Sequence, residues 1–199
     1  VSNRLPVTIG PEISRSSGGL VSSMENLGEK VDLKWIGWAG GHIPEPDERN
    51  RITRELIDRY KYYPIFLDDA EATDYYDGFS NSSMWPLLHY MNTYSRYWTQ
   101  WYEAYQRVNR IFAEEVIKVA RPDDMVWVHD YHLMLLPRIL RQESPHRKIG
   151  FFLHTPFPPS EIFRCHPNRE DLLQGLLGAD LIGFQTFGFL RHFRATVLR

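Results

Sequence analysis

Residues 125–154 read MVWVHDYHLMLLPRILRQESPHRKIGFFLH, and this stretch decides the fold. Just before it, Arg121-Pro122-Asp123-Asp124 ends any preceding helix, because Pro122 biases Arg121 out of the α region. The apolar run at 125–128 is short, β-branched and aromatic, so it reads as a buried strand. A helical pattern over 131–142 and a second apolar run at 149–153 complete a strand–helix–strand unit. A helix at 168–177 and a strand at 181–184 extend it to consecutive right-handed βαβ units in a parallel sheet. These strands are continuously apolar, which predicts burial on both faces. The fold class is α/β, a doubly wound parallel sheet.

Outward from this segment, earlier strands are predicted at 33–38 and 62–67. Tyr94, Tyr97, Trp98, Trp101, Tyr105, Val108, Phe112 and Val119 are spaced by threes, fours and their sums, which predicts one long helix with a buried stripe. Such a stripe reads as core rather than as a cofactor platform. With no internal repeat and no Ser/Gly/Pro linker, residues 1–199 are expected to form one domain. The chain begins at Val1 without an initiator Met, and its last helical stretch, 187–199, has no stop signal. It is expected to be a piece of a longer polypeptide.

Composition narrows the function classes. With 43% hydrophobic and 24% charged residues, and Gly and Pro at 13 each, collagen-like and low-complexity chains are excluded. Lys plus Arg number 23 against 25 acidic residues, a net charge of -2 without like-charge runs, so no nucleic-acid partner is expected. Apolar runs fall far short of the roughly 18 residues of a membrane span, so no membrane partner is expected either. Cys165 is the only cysteine and no charged-then-apolar leader opens the chain, which points to a reducing, cytoplasmic location.

In such sheets ligands sit beyond the carboxyl ends of the strands. The predicted strands end in His129-Asp130, His154-Thr155 and Gln185-Thr186, and the amino-terminal segment in Ser2-Asn3-Arg4, all polar. Arg4 reads either as a surface charge or as a planar fork for phosphate or carboxylate. Ser16-Ser17-Gly18-Gly19, before a helical pattern at 20–27, reads either as a turn or as a diphosphate cradle. His129 and His132 are three apart, a spacing open to metal ligation, but no second His or Cys pair has ligand spacing, so no metal is expected. His154, before the rigid Thr155-Pro156-Phe157-Pro158-Pro159 turn, reads equally as a ligand contact or as a satisfied core histidine. Trp38 and Trp85 lie in turn-rich contexts where an aromatic face either packs or backs a sugar ring. Together these residues describe an anion and polyol site.

The motifs also carry a resemblance. Ser2-Asn3-Arg4, Ser17-Gly18-Gly19-Leu20, Trp35-Ile36-Gly37-Trp38, Tyr75-Tyr76-Asp77-Gly78-Phe79-Ser80-Asn81, Trp85-Pro86, Trp127 through Leu133 and Gly150 through Pro158 occur in the order seen in trehalose-6-phosphate synthases. Gly183-Phe184-Gln185-Thr186 extends the likeness, which spans essentially the whole chain. Residues 10–16 and 42–54 fall outside it.

This resemblance implies the Rossmann-like N-terminal half of a two-domain glycosyltransferase-B architecture. It implies retaining transfer of glucose from UDP-glucose to glucose 6-phosphate, giving trehalose 6-phosphate and UDP, with no cofactor. Matched residue by residue, Arg4 holds the acceptor phosphate with Tyr76 as hydroxyl partner, Asp130 binds acceptor hydroxyls, and Trp38 and Trp85 shape the acceptor pocket. Gly18 and Gly19 let the donor diphosphate approach, and His154 contacts the transferred glucose, so Asp130 and His154 are the expected catalytic positions. The charge-neutralising Arg and Lys of the donor site belong to a C-terminal nucleotide-sugar domain beyond this sequence, so the chain alone is expected not to turn over. The implied partners are that domain, a homo-oligomer, or a complex with a trehalose-phosphate phosphatase. Two other readings are a non-catalytic regulatory relative and an enzyme with a different phosphorylated acceptor.

Overall fold

A computed structural model describes residues 1–16, 19, 21–22, 24 and 31–199. The chain falls into two compact units, Val1–Asp69 and Ala70–Arg199.

In the first unit, a short antiparallel pair, β1 (Val7–Thr8) and β2 (Ser14–Arg15), precedes two parallel strands, β3 (Trp35–Trp38) and β4 (Tyr62–Ile65). The amino-terminal segment runs beside β3: Ser2 N–H donates to the Ile36 carbonyl at 3.1 Å, and Trp38 N–H to that of Asn3 at 2.8 Å. Gly37 permits this approach, since a Cβ there would lie 2.8 Å from Leu5 N and 2.9 Å from the Arg4 carbonyl carbon. Helix α1 (Pro46–Tyr60) links the strands. Pro46 opens it, Asp47 and Glu48 complement its positive end, and Ile52 and Leu56, four apart, face a core of Leu5, Val7, Trp35 and Tyr62. The expected strand at 33–38 is shorter at its start, because Leu33 and Lys34 precede the parallel ladder.

Near the start of the second unit, a single helical turn at Asp69–Ala72 leads into a twelve-residue π-helix, π1 (Thr73–Met84), which runs into helix α2 (Trp85–Leu88). Helix α3 (Thr99–Val119) follows, burying Tyr105, Val108 and Phe112. The long stripe is thus right from Trp101 onward and wrong before it. Tyr94 and Trp98 precede the helix and are 70% and 65% exposed.

Strands β5 (Val126–His129), β6 (Ile149–Leu153) and β7 (Leu181–Phe184) form one parallel sheet in the order β5-β6-β7. Helices α4 (Leu136–Glu143) and α5 (Arg169–Leu176) lie between these strands in the chain, and α6 (Phe187–Val197) follows β7. This is the α/β, Rossmann-like pattern expected from the alternation of elements. Burial on both faces does not hold: Val126 and Val128 of β5 and Ile149, Phe151 and Leu153 of β6 are buried, but Trp127 is 40% exposed, Gly150 and Phe152 are half-buried, and Leu181 of the edge strand β7 is 74% exposed. No helix among the described residues is long and apolar enough to cross a membrane.

Candidate functional site

Because β5 and β6 are parallel neighbours, their carboxyl ends deliver His129-Asp130 and His154-Thr155 side by side, with Gln185-Thr186 after β7 on the same rim. The polar convergence expected at these three strand ends is what the sheet builds.

Asp130 adopts φ 75°, ψ 170°, a conformation that only glycine reaches freely and that costs other residues about 1–3 kcal/mol. Backbone donors hold it there: Oδ1 accepts from Tyr131 N–H at 3.0 Å and from His154 N–H at 3.3 Å. Burial pushes the carboxyl pKa upward, opposed by these donors and by the nearby His154. Below the loop, α3 supplies the support. Tyr105 hydroxyl donates to the Tyr131 carbonyl at 2.8 Å and accepts from Met134 N–H at 2.9 Å, and Asn109 Nδ2 donates to the His132 carbonyl at 3.1 Å. The buried stripe is therefore core, as expected, but its polar tips fix the strand-end loop.

π1 approaches the same loop. Its i→i+5 repeat sets Tyr76 and Asn81 on neighbouring parts of one face. The Tyr76 ring stacks on His132 at 5.8 Å and 14°, and Tyr131 hydroxyl donates to Asn81 Oδ1 at 3.2 Å. One turn on, Trp85 is 43% exposed, its ring 3.9 Å from His89 and 5.8 Å from Tyr131. Tyr76, Trp85, Asp130 and His154 thus share one end of this unit, combining aromatic faces with a carboxylate and an imidazole. That set suits a polyol.

His129 and His132 part company. His129 turns to His154 and His132 is sandwiched against aromatic rings, so they share no ligand position. No group of three metal-ligating side chains occurs among the described residues.

Arg4 and Trp38 lie in the first unit, bridged in parallel where β3 ends. The Arg4 guanidinium carbon sits 5.2 Å from the Trp38 ring centroid and Nη2 donates to the Gly40 carbonyl at 2.8 Å. Arg4 is exposed and pairs with no carboxylate among the described residues, which leaves a positive fork for an anion. Trp38 is 7% exposed, so it serves here as a base for Arg4 rather than as an open platform. Gly40, at φ 94°, completes the seat, since a Cβ there would overlap the guanidinium. Gly40→Ala is expected to displace Arg4 and to cost about 1–2 kcal/mol through the left-handed backbone. A shifted Arg4 Nε–H resonance and a lowered denaturation midpoint would show this, and an unmoved resonance would mean that the seat does not need Gly40.

Gly18 lies outside the described residues, as does most of the helix expected at 20–27. Gly19 is exposed and helical, and among the described residues a Cβ placed on it meets nothing within 4 Å. In the sequence, His129 stands out only among the polar strand ends and by a spacing open to metal ligation, and Asn81 and Tyr131 have no role beyond the motifs that contain them. Strand alternation carried a signal for His129, which shares a face of β5 with the half-exposed Trp127 rather than with the buried Val126 and Val128.

Residues 2–199 match the family model described as Glycosyltransferase family 20. A Candida albicans protein named alpha,alpha-trehalose-phosphate synthase (UDP-forming) is 48% identical, with 100% of this chain covered and 44% of that protein. The crystal structure of an alpha,alpha-trehalose-phosphate synthase (UDP-forming) from Burkholderia xenovorans in complex with glucose-6-phosphate aligns at TM-score 0.80 and 32% identity, covering 100% of this chain and 42% of that one. The N-terminal domain of a Candida albicans trehalose-6-phosphate phosphatase aligns at TM-score 0.83 and 34% identity, covering 100% and 43%. The chain spans less than half the length of these proteins.

Proposed function

This chain belongs to glycosyltransferase family 20, and we propose that it is the acceptor-side half of a retaining enzyme that moves glucose from UDP-glucose to glucose 6-phosphate, giving trehalose 6-phosphate and UDP. The observation that carries this reading is the exposed Arg4 fork, seated on Trp38 and the Gly40 carbonyl with no carboxylate among the described residues to neutralise it. Such a fork matches a phosphate monoester. Tyr76 adds a hydroxyl toward the phosphate, Asp130 accepts from acceptor hydroxyls, Trp85 offers an aromatic face to the acceptor, and Trp38 acts through Arg4, which it backs. Gly18 and Gly19 admit the donor diphosphate, and His154 contacts the transferred glucose.

In this reading the acceptor hydroxyl forms the new bond to the anomeric carbon while the bond to the UDP oxygen breaks. The hydroxyl proton passes to the departing phosphate oxygen. The protein contributes by holding two substrates in line and by offering fixed dipoles to the charge that develops. A C-terminal nucleotide-sugar domain supplies the cationic donor site and completes a two-domain architecture in which residues 1–199 act as one acceptor-binding domain. The enzyme needs no cofactor and works in the cytoplasm.

One observation favours a second reading. In structure, though not in sequence identity, the N-terminal domain of a trehalose-6-phosphate phosphatase aligns as well as the solved synthases do, so the same fold also suits a non-catalytic partner in a synthase–phosphatase assembly.

Glucose 6-phosphate titrated into the full-length polypeptide, followed by turnover with UDP-glucose, separates these. Binding with turnover is expected. Arg4→Ala should weaken glucose 6-phosphate about 10- to 100-fold, the worth of a hydrogen bond to a charged group, and shift stability by less than about 0.5 kcal/mol, as a surface charge does. An unchanged dissociation constant in that variant sinks the Arg4 assignment; binding without turnover selects the second reading.

A further inference from the structure

We propose that His129 is a positioning residue that commits His154 to meet a bound sugar through Nδ1 rather than Nε2, an inference that rests on the donor contact assigned to His154 above. His129 Nδ1 and His154 Nε2 lie 3.0 Å apart. That hydrogen bond uses up one of the two ring nitrogens of His154. It leaves Nδ1 as the nitrogen available to a ligand.

The pair is held from several sides. His129 ends β5 at 5% exposure, with the Trp127 ring 4.8 Å away and the His154 ring 5.3 Å away. Phe152 of β6 flanks His154 at 4.8 Å, and the His154 backbone N–H is tied to Asp130 Oδ1 at 3.3 Å. His129 cannot swing aside without repacking the end of β5. Burial, reinforced by His154, also pushes the His129 pKa down to about 3, so its ring is neutral near pH 7 and carries one hydrogen.

In a neutral imidazole, the hydrogen bond made by one nitrogen fixes the role of the other. If His129 donates, His154 carries its hydrogen on Nδ1 and donates to a sugar oxygen. If His129 accepts, His154 donates through Nε2 and Nδ1 accepts from a sugar hydroxyl. Both arrangements aim the same atom at the ligand. A flipped His154 ring would place a C–H there instead and forfeit the contact, which is what the partner histidine prevents.

Nitrogen NMR on the full-length protein with 15N-labelled histidine tests this, first without ligand and then with UDP-glucose. His129→Leu is expected to move the His154 Nε2 resonance before any ligand is added, and UDP-glucose is expected to move Nδ1 of His154 in the unsubstituted protein. In turnover, His129→Leu should lower kcat/KM for UDP-glucose about 10- to 100-fold, the usual cost of losing a ring-orienting partner, with KM for glucose 6-phosphate unchanged within about twofold. His129→Asn places its amide where Nδ1 stood and should restore most of the loss, which a purely space-filling role would not allow. A ligand-induced shift at Nε2, or an Asn variant as impaired as the Leu variant, overturns the proposal. Unsubstituted protein that binds no UDP-glucose, while Nε2 still responds to His129→Leu, sinks the functional reading and leaves the pairing; a silent Nε2 sinks the pairing itself.

Discussion

Unfolding of the 70–199 unit is expected to become much easier as pH falls below about 6.5, because three histidines are buried there in neutral form. Burial pushes His129, His132 and His166 from 6.5 to about 3. His166 shows what holds them neutral: its Nδ1 accepts from Asn168 N–H at 3.1 Å while Nε2 faces the Ser83 hydroxyl at 3.1 Å, leaving no place for a second proton. In the unfolded chain each takes up a proton near pH 6.5; in the folded chain none does until about pH 3. The stability they confer is therefore complete above 6.5 and is lost as pH falls toward 3. Asp130, whose pKa is raised by burial, works in the opposite sense and offsets part of the loss. Three protons make a slope of about 4 kcal/mol per pH unit, and the net loss from pH 7 to pH 5 is on the order of 5 kcal/mol. A domain of this size has only about 5–15 kcal/mol in total. Urea midpoints measured from pH 7 to pH 5 check it: a steep fall is expected, and a flat profile would show that the histidines are hydrated or already charged.

The second large effect concerns a single methyl group. A Cβ on Gly178 would overlap the backbone N and Cα of Arg138 and lie 2.6 Å from the Pro137 carbonyl carbon. Main chain cannot turn away as a flexible side chain does, so α4 and the end of α5 must separate. Gly178→Ala is expected to cost about 3 kcal/mol or more, beyond the usual range for overpacking, and to lower the melting temperature by roughly 10 °C. Gly188→Ala is the control in the same unit. Its Cβ would meet only Thr186 Oγ1 at 3.6 Å, an ordinary contact, and alanine favours the helix, so a change between zero and about 1 kcal/mol of stabilisation is expected. Equal melting temperatures for the two variants would mean that the helices part without cost.

Legibility in the sequence followed the strength of local signals. Strands β6 and β7 lie where their short apolar runs between turn residues place them, and β5 is displaced by one residue because His129 joins the ladder. The polar strand ends were readable because a parallel sheet puts all its carboxyl ends on one side. Helix α1 went unread although Pro46, the acidic first turn and the Ile52–Leu56 spacing announce it, since only Ile52 and Leu56 are buried in an otherwise polar segment and its apolar stripe is thin. π1 carried no comparable signal, because the helical steps from Tyr75 and Tyr76 to Phe79 are broken by the five-residue step to Met84 and by the polar residues between. The stripe before Trp101 misled for the converse reason: Tyr94, Tyr97 and Trp98 keep helical spacing by coincidence in a segment that is not α-helical.

The π-helix also bears on which changes the lineage of this chain can tolerate. Twelve residues wound more loosely than an α-helix set the rotational phase at which Trp85 emerges, and with it the approach to Tyr131. Exchanging one residue for another inside the segment alters a side chain and leaves that phase intact. Losing or gaining one residue turns everything downstream by somewhat less than the ~100° per residue of an α-helix and sends Trp85 to another face. Evolutionary drift here is thus expected to show as spelling changes at fixed length, with insertions and deletions purged from 73–84 more strictly than from surface loops.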